Sequence, residues 1–198
     1  MKAVKRAISL MLILSFAICL AGCNTKKLSH DKLVNYLDKE AKFDEVDDLD
    51  DFKKIFGKLR AGNEGYISLK DKKAQKIYDK LYNSSQGYPD YDIVEATAAY
   101  SSDSDGINYL FMFTFDDEKD AEKLYKKIEK VFELNGDSDE EKGMSYVYSC
   151  KKSSSGKYTI RNAYLEKNTL LIVMASTKDT DFVEDFCDYF KLQYDLDD

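Results

Sequence analysis

The sequence predicts an α+β fold in which N-terminal helices are followed by a mainly antiparallel sheet, with the helices packed on one face. Three features support this class. Apolar residues recur at helical spacing near both ends and in the middle of the chain. Short aromatic and apolar runs separated by turn signals fill the second half. A content of 43% hydrophobic and 13% aromatic residues is typical of a folded domain.

The first half of the chain contains mainly helical patterns. Apolar residues at helical spacing predict helices after Asp31, after Asp48 and after Lys70. Two glycines break the pattern before the third helix, and a short strand is predicted there over 66–69.

The second half follows the order β-β-α-β-β-β-α. Its second strand, YLFMFTF at 109–115, is apolar on both sides, as a central strand is. Asp116 and Asp117 supply the N-cap of the clearest helix, which Asn135-Gly136 ends. An acidic loop is predicted at 137–141. The other strands are predicted over 93–100, 144–150, 157–166 and 170–175, with a terminal helix around 183–190.

Residues 1–22 have the pattern of a secretory signal. Lys2, Lys5 and Arg6 form a basic start, and an apolar run follows. The last residues, Leu20-Ala21-Gly22-Cys23, resemble the lipobox of bacterial lipoproteins. That resemblance implies cleavage between Gly22 and Cys23 and acyl chains on Cys23, since two chains give stable anchoring and one does not. It divides the chain into a signal peptide at 1–22, a lipidated tether at 23–30 and one domain at 31–198.

Two other interpretations of this segment remain open. The uncharged run from 7 to 25 approaches the length of a transmembrane helix, which would make it an uncleaved anchor. Alternatively, the cysteine ends an ordinary signal by accident. Every interpretation places the domain on the extracytoplasmic side of the cell membrane.

Residues 93–192 resemble uncharacterised small lipoproteins of Gram-positive anaerobes. The resemblance lies in an aromatic strand, NYLFMFTF, an acidic cap with an amphipathic helix, FDDEKDAEKLYKKI, and strands of the GKY and NTLLIV types. It implies a domain of unknown function and supplies no functional residue.

The charge of the chain limits its partners. Removing the leader leaves 27 basic and 37 acidic residues, a formal charge of −10. Nucleic acid is therefore a poor partner. Anionic headgroups repel such a domain, so membrane association is expected to depend on the lipid at Cys23.

Cys150 and Cys187 are the cysteines that remain once Cys19 is removed and Cys23 is lipidated. An even pair outside the cytoplasm makes them candidates for a disulfide. The alternative is two buried thiols that pack as small apolar groups.

The sequence contains no recognisable catalytic, cofactor or metal motif. The only histidine, His30, is predicted to be an exposed residue at the start of a helix, which argues against Ser-His-Asp chemistry and zinc binding. The acidic segment 137–141 is interpreted as a solvated loop, with loose cation binding as the alternative. Asp103-Ser104-Asp105-Gly106 has the look of a calcium loop but lacks its final glutamate, so a hairpin turn is predicted.

Tyr82, Tyr88 and Tyr91 flank the only proline and form a candidate contact surface for a peptide or sugar. The alternative is that they pack their loop onto the sheet. The sequence thus favours a lipid-anchored, non-catalytic binding or scaffolding module with an unidentified protein, peptide or glycan partner. The competing hypothesis is a histidine-independent hydrolase of cell-wall or polysaccharide substrates that uses two carboxylates.

Overall fold

The computed structural model describes residues 27–56, 62–81, 89–132, 137–141 and 143–196. These ranges contain helices and one antiparallel sheet, which confirms the α+β class. The helices are α1 (His30–Asn35, continued by a π-helical turn, Tyr36–Glu40), α2 (Leu49–Ile55), α3 (Asp71–Leu81), α4 (Glu118–Phe132) and α5 (Asp181–Phe190). The strands are β1 (Asn63–Lys70), β2 (Ile93–Ser102), β3 (Gly106–Phe115), β4 (Asp137–Glu141), β5 (Met144–Lys152), β6 (Tyr158–Glu166) and β7 (Thr169–Thr177).

The seven strands form one sheet in the order β1-β2-β3-β7-β6-β5-β4, and every neighbouring pair is antiparallel. The prediction of a central strand at 109–115 is confirmed, because β3 lies between β2 and β7. The chain reverses at Lys167-Asn168 between β6 and β7, as the sequence predicts.

The sheet is covered on both faces, so the prediction of helices on one face is wrong. On one side, called the aromatic face, Phe111, Phe113 and Ile172 pack beneath α2, α3 and α4. On the other, called the tether face, alternate residues such as Met112 and Leu171 pack beneath α1 and α5. Because the central strands are apolar on both sides, their pattern alone does not assign a helix to either face.

The acidic segment at 137–141 forms an edge strand, which corrects the predicted loop. Backbone pairing extends from Asp137 opposite Tyr148 to Glu141 opposite Met144. Acidic residues have low strand propensity, but an edge tolerates charge because one side of the strand faces solvent. The strand order in the second half therefore becomes β-β-α-β-β-β-β-α.

The two ends of the sheet differ in what they carry. The tether end holds the last residues of β1, β3 and β6, and the chain enters the domain there at Leu28, which is buried. The far end holds the β2–β3 and β5–β6 hairpins. In the first hairpin the Asp103 carboxylate accepts hydrogen bonds from the backbone N–H groups of Asp105 and Gly106, both at 2.8 Å. These bonds confirm the predicted turn.

Candidate functional site

His30 is buried at the tether end, which corrects its predicted exposure. The side chain is only 5% exposed because the start of α1 lies on the tether face of the sheet. Its Nδ1 atom forms a hydrogen bond with Thr97 Oγ1 at 2.8 Å, and its Nε2 atom forms one with Thr114 Oγ1 at 3.1 Å. The two threonines lie on adjacent strands, β2 and β3, so the imidazole bridges them.

The histidine completes a row of hydroxyl groups across four neighbouring strands. Ser68 Oγ on β1 is 2.8 Å from Thr97 Oγ1, and Thr169 Oγ1 on β7 is 2.9 Å from Thr114 Oγ1. A hydroxyl both donates and accepts, so this row can satisfy either tautomer of a neutral imidazole. The row fixes the imidazole against the sheet and, with it, the first turn of α1.

A polar pocket of about 200 Å³ opens beside His30. Its lining residues are Leu28, Ser29, His30, Asp31, Lys70, Glu95 and Thr114. Lys70 Nζ lies 3.4 Å from a Glu95 carboxylate oxygen, and the glutamate is the more buried member of this ion pair. The pocket presents charges of both signs together with hydroxyl groups, which suits a small polar ligand with donors and acceptors.

Glu166 holds the chain where it enters the domain. The backbone N–H of Lys27 donates to Oε1 at 3.1 Å, and that of Leu28 donates to Oε2 at 2.7 Å. Hydrogen bonds to a charged acceptor are among the stronger ones. We call this arrangement the Glu166 clamp, and it fixes the chain at Lys27 and Leu28, the first described residues.

Cys150 and Cys187 are thiols in this structure and do not form the candidate disulfide. Both contribute to the apolar cluster on the tether face, Cys187 fully buried and Cys150 partly. Burial raises the pKa of Cys187 to about 12. Its Sγ atom is 3.6 Å from the hydroxyl of Tyr164, whose pKa burial also raises. Cys187 is thus an unreactive packed thiol, in line with the alternative interpretation.

Tyr91, one of the three tyrosines of the candidate contact surface, is buried in the core. Tyr91 is 5% exposed and packs edge-on against Phe115, with ring centroids 5.8 Å apart. It therefore fastens its segment to the sheet, as the alternative interpretation expects. Tyr82 and Tyr88 lie outside the described residues, as do Gly22 and Cys23 of the predicted lipobox.

The described residues offer no metal centre. Within those ranges, no group of three or more His, Cys, Asp or Glu side chains is arranged to hold a metal ion. None of the helices in the described part of the chain combines the length and apolar character that a membrane crossing requires.

Sequence reasoning missed the Glu166 clamp and the polar row. A weak signal for the row was present, because Thr97 and Thr114 interrupt strands that are otherwise mostly apolar. Nothing in the local sequence of Glu166 indicates its role, since its partners lie 138 and 139 residues away in the chain.

Comparison with models of protein families, with curated proteins and with solved structures finds no significant match. The functional argument therefore depends on the residues of this chain.

Proposed function

We propose that this chain is a lipid-anchored extracytoplasmic protein that binds a ligand or partner at the cell membrane and performs no chemistry. The observation that carries the proposal is Leu20-Ala21-Gly22-Cys23 at the end of a signal-type leader. Acyl chains on Cys23 would hold the domain, and the acidic charge of the chain argues against nucleic acid as the partner.

The Glu166 clamp supports this role because it shortens the connection between lipid and domain. Leu28 lies five positions after Cys23, and a fully extended chain of five residues reaches about 17 Å. A domain held on so short a tether stays next to the bilayer.

The polar pocket supports ligand binding over catalysis. Both ring nitrogens of His30 lie at hydrogen-bond distance from threonine hydroxyls, which positions the ring as part of the scaffold. The pocket that this scaffold frames holds Lys70 and Glu95, two groups suited to recognising opposite charges on one ligand.

Changing Cys23 to Ala tests the anchor. The wild-type protein is expected to incorporate labelled fatty acid and to fractionate with membranes, whereas the Cys23→Ala protein should accumulate as an unprocessed precursor or leave the membrane. Cys19→Ala is the matched control, because it removes a cysteine from the leader and keeps the lipobox. Equal fatty-acid incorporation by wild type and Cys23→Ala would refute the proposal.

A second candidate function is hydrolysis, which one observation favours: Asp31 and Glu95 line the same pocket. Two carboxylates facing one cleft are the minimal equipment of a glycosidase. Cell-wall and soluble polysaccharides should be incubated with wild type, Asp31→Asn and Glu95→Gln. Turnover by wild type that drops about 100-fold or more in both variants would establish this second function, and Glu64→Gln provides a control at an exposed strand position.

A further inference from the structure

Two lysines near the start of the domain and one near its end lie close together at the tether end. Lys27 precedes the first helix, Lys32 lies on α1, and Lys191 ends α5. We call them the tether lysines. The approach of Lys191 was not visible in the sequence, because it lies 159 positions after Lys32.

Packing of α1 against α5 brings these lysines together. Lys32 Nζ lies 4.4 Å from the ring centroid of Phe190 and 5.3 Å from that of Tyr189. Phe190 directly precedes Lys191, so Lys32 and Lys191 share one surface. Lys27, five residues before Lys32, has its backbone held at the tether end by the Glu166 clamp.

The electrostatics of Lys32 agree with this geometry. Burial is the largest of the causes that lower the pKa of Lys32, and the positive charges of Lys191 and Lys27 lower it further. The three charges therefore repel one another, and an anionic surface that meets all three would relieve that repulsion.

The other end of α5 has the opposite character. Asp179 and Asp181 lie at its start, and the hydrogen bond and negative charge of Asp179 raise the pKa of Asp181. Glu184 and Asp185 raise it further. Lys191 caps the opposite end of α5, whose last turn also contains Asp188.

We propose that the tether lysines form a contact surface for anionic lipid headgroups, so that the domain stands on the bilayer with its tether end down. This inference rests on the proposed lipid anchor. Lys27 lies four positions after Cys23, a reach of about 14 Å, which brings the tether lysines to headgroup level. The lipid supplies attachment, and the lysines supply orientation.

This orientation determines which surface remains for a partner. Strands of nine or ten residues span about 30 Å, so the β2–β3 and β5–β6 hairpins would lie that much farther from the bilayer. A protein or glycan partner would then meet the far end, whereas the polar pocket beside His30 would face the headgroup region.

The test compares a label at each end of the lipidated full-length protein. Lys167→Cys places a fluorophore at the tether end and Asp105→Cys places one at the far end, both in a Cys150→Ser background. The proteins are reconstituted into phosphatidylcholine vesicles with or without phosphatidylglycerol, and quenching by an acceptor on the headgroups is measured. The label at residue 167 should be quenched several-fold more than the label at residue 105 in the anionic vesicles.

Neutralising the tether lysines should abolish the effect of anionic lipid on the orientation of the domain. Each lysine near an anionic surface favours contact roughly five-fold, so the combined Lys27→Gln, Lys32→Gln and Lys191→Gln protein should show the same ratio of quenching in both vesicle types. The matched control changes three lysines near the far end, Lys151, Lys157 and Lys178, to Gln and should keep the wild-type ratio. High salt should reduce the ratio without releasing the protein, because it screens charges and leaves acyl chains in place.

The outcomes separate this inference from the anchor itself. Vesicle-bound wild type with equal quenching at both labels would overturn the orientation while the anchor stands. Mass spectrometry that finds no lipid on Cys23 would overturn the anchor and the orientation together.

Discussion

The two faces of the sheet differ in the contacts that stabilise them. The aromatic face carries rings and small apolar groups beneath α2, α3 and α4. The tether face is covered by α1 and α5, the two ends of the folded chain, and it contains the His30 row and the Tyr164–Cys187 pair. One face is stabilised mainly by packing, and the other also depends on buried polar contacts.

The residues with a proposed function lie apart from the residues that pack the main aromatic core. The clamp, the polar pocket and the tether lysines all belong to the tether end and to elements of the tether face. The aromatic face provides a close-packed hydrophobic core that stabilises the sheet. Substitutions on the aromatic face should therefore lower stability through lost side-chain volume. On the tether face, the effect of a substitution on stability should depend on pH and on the hydrogen bonds removed.

The largest effect is expected on the aromatic face. Phe113 is fully buried on β3, so Phe113→Ala should lower the free energy of unfolding by about 3–5 kcal/mol through lost burial and a cavity. Denaturant unfolding followed by circular dichroism measures the change. Val131→Ala on α4, where the side chain is 51% exposed, serves as the control and should stay within about 0.5 kcal/mol. A change below about 1 kcal/mol for Phe113→Ala would contradict a packed aromatic face.

The tether face should lose stability in alkali. Cys187 has a pKa of about 12 in the folded protein against 9.0 for the ordinary thiol, so the unfolded chain ionises first as the pH rises. Stability from this thiol is complete below pH 9 and falls by about 1.4 kcal/mol per pH unit above it. Cys187→Ala should flatten the decline measured in unfolding curves between pH 8 and 11. Parallel curves for wild type and Cys187→Ala would show that the thiol does not titrate in this way.

Removing the imidazole should have an intermediate effect. His30→Leu keeps the bulk of the side chain and deprives Thr97 and Thr114 of one hydrogen bond each, so a loss of about 1–3 kcal/mol is expected in denaturant unfolding. Adding Thr97→Val should cost less in the His30→Leu protein than in wild type, because the shared bond is already absent. Strictly additive losses would mean that the row does not act as a unit.

The smallest effect is expected at the Glu166 clamp. Glu166→Gln removes the charge and one acceptor oxygen, so amide hydrogen exchange at Lys27 and Leu28 should accelerate roughly five-fold. Unfolding of the whole domain should change little. Glu64→Gln, an exposed position on β1, is the matched control. Unchanged exchange at both amides in Glu166→Gln would show that the carboxylate does not hold the entering chain.

Sequence reasoning reached the elements more easily than the site. The central strand at 109–115 was predicted because its side chains are apolar on both sides, and the helix at Glu118–Phe132 because its apolar residues repeat at helical spacing. The site was missed because its hydrogen bonds join residues far apart in the chain. His30 and Thr97 are separated by 67 positions, and His30 and Thr114 by 84.

The sequence by itself determined the α+β class, the main helices and the central strand, because these depend on local periodicity. It also contains Leu20-Ala21-Gly22-Cys23, the lipobox-like segment on which the prediction of a lipid anchor still depends. The tertiary structure decided which face each helix covers, turned the acidic segment at 137–141 into an edge strand, and buried His30. It also brought the tether lysines together. These outcomes depend on contacts between distant segments, and such contacts form only when the sheet places those segments side by side.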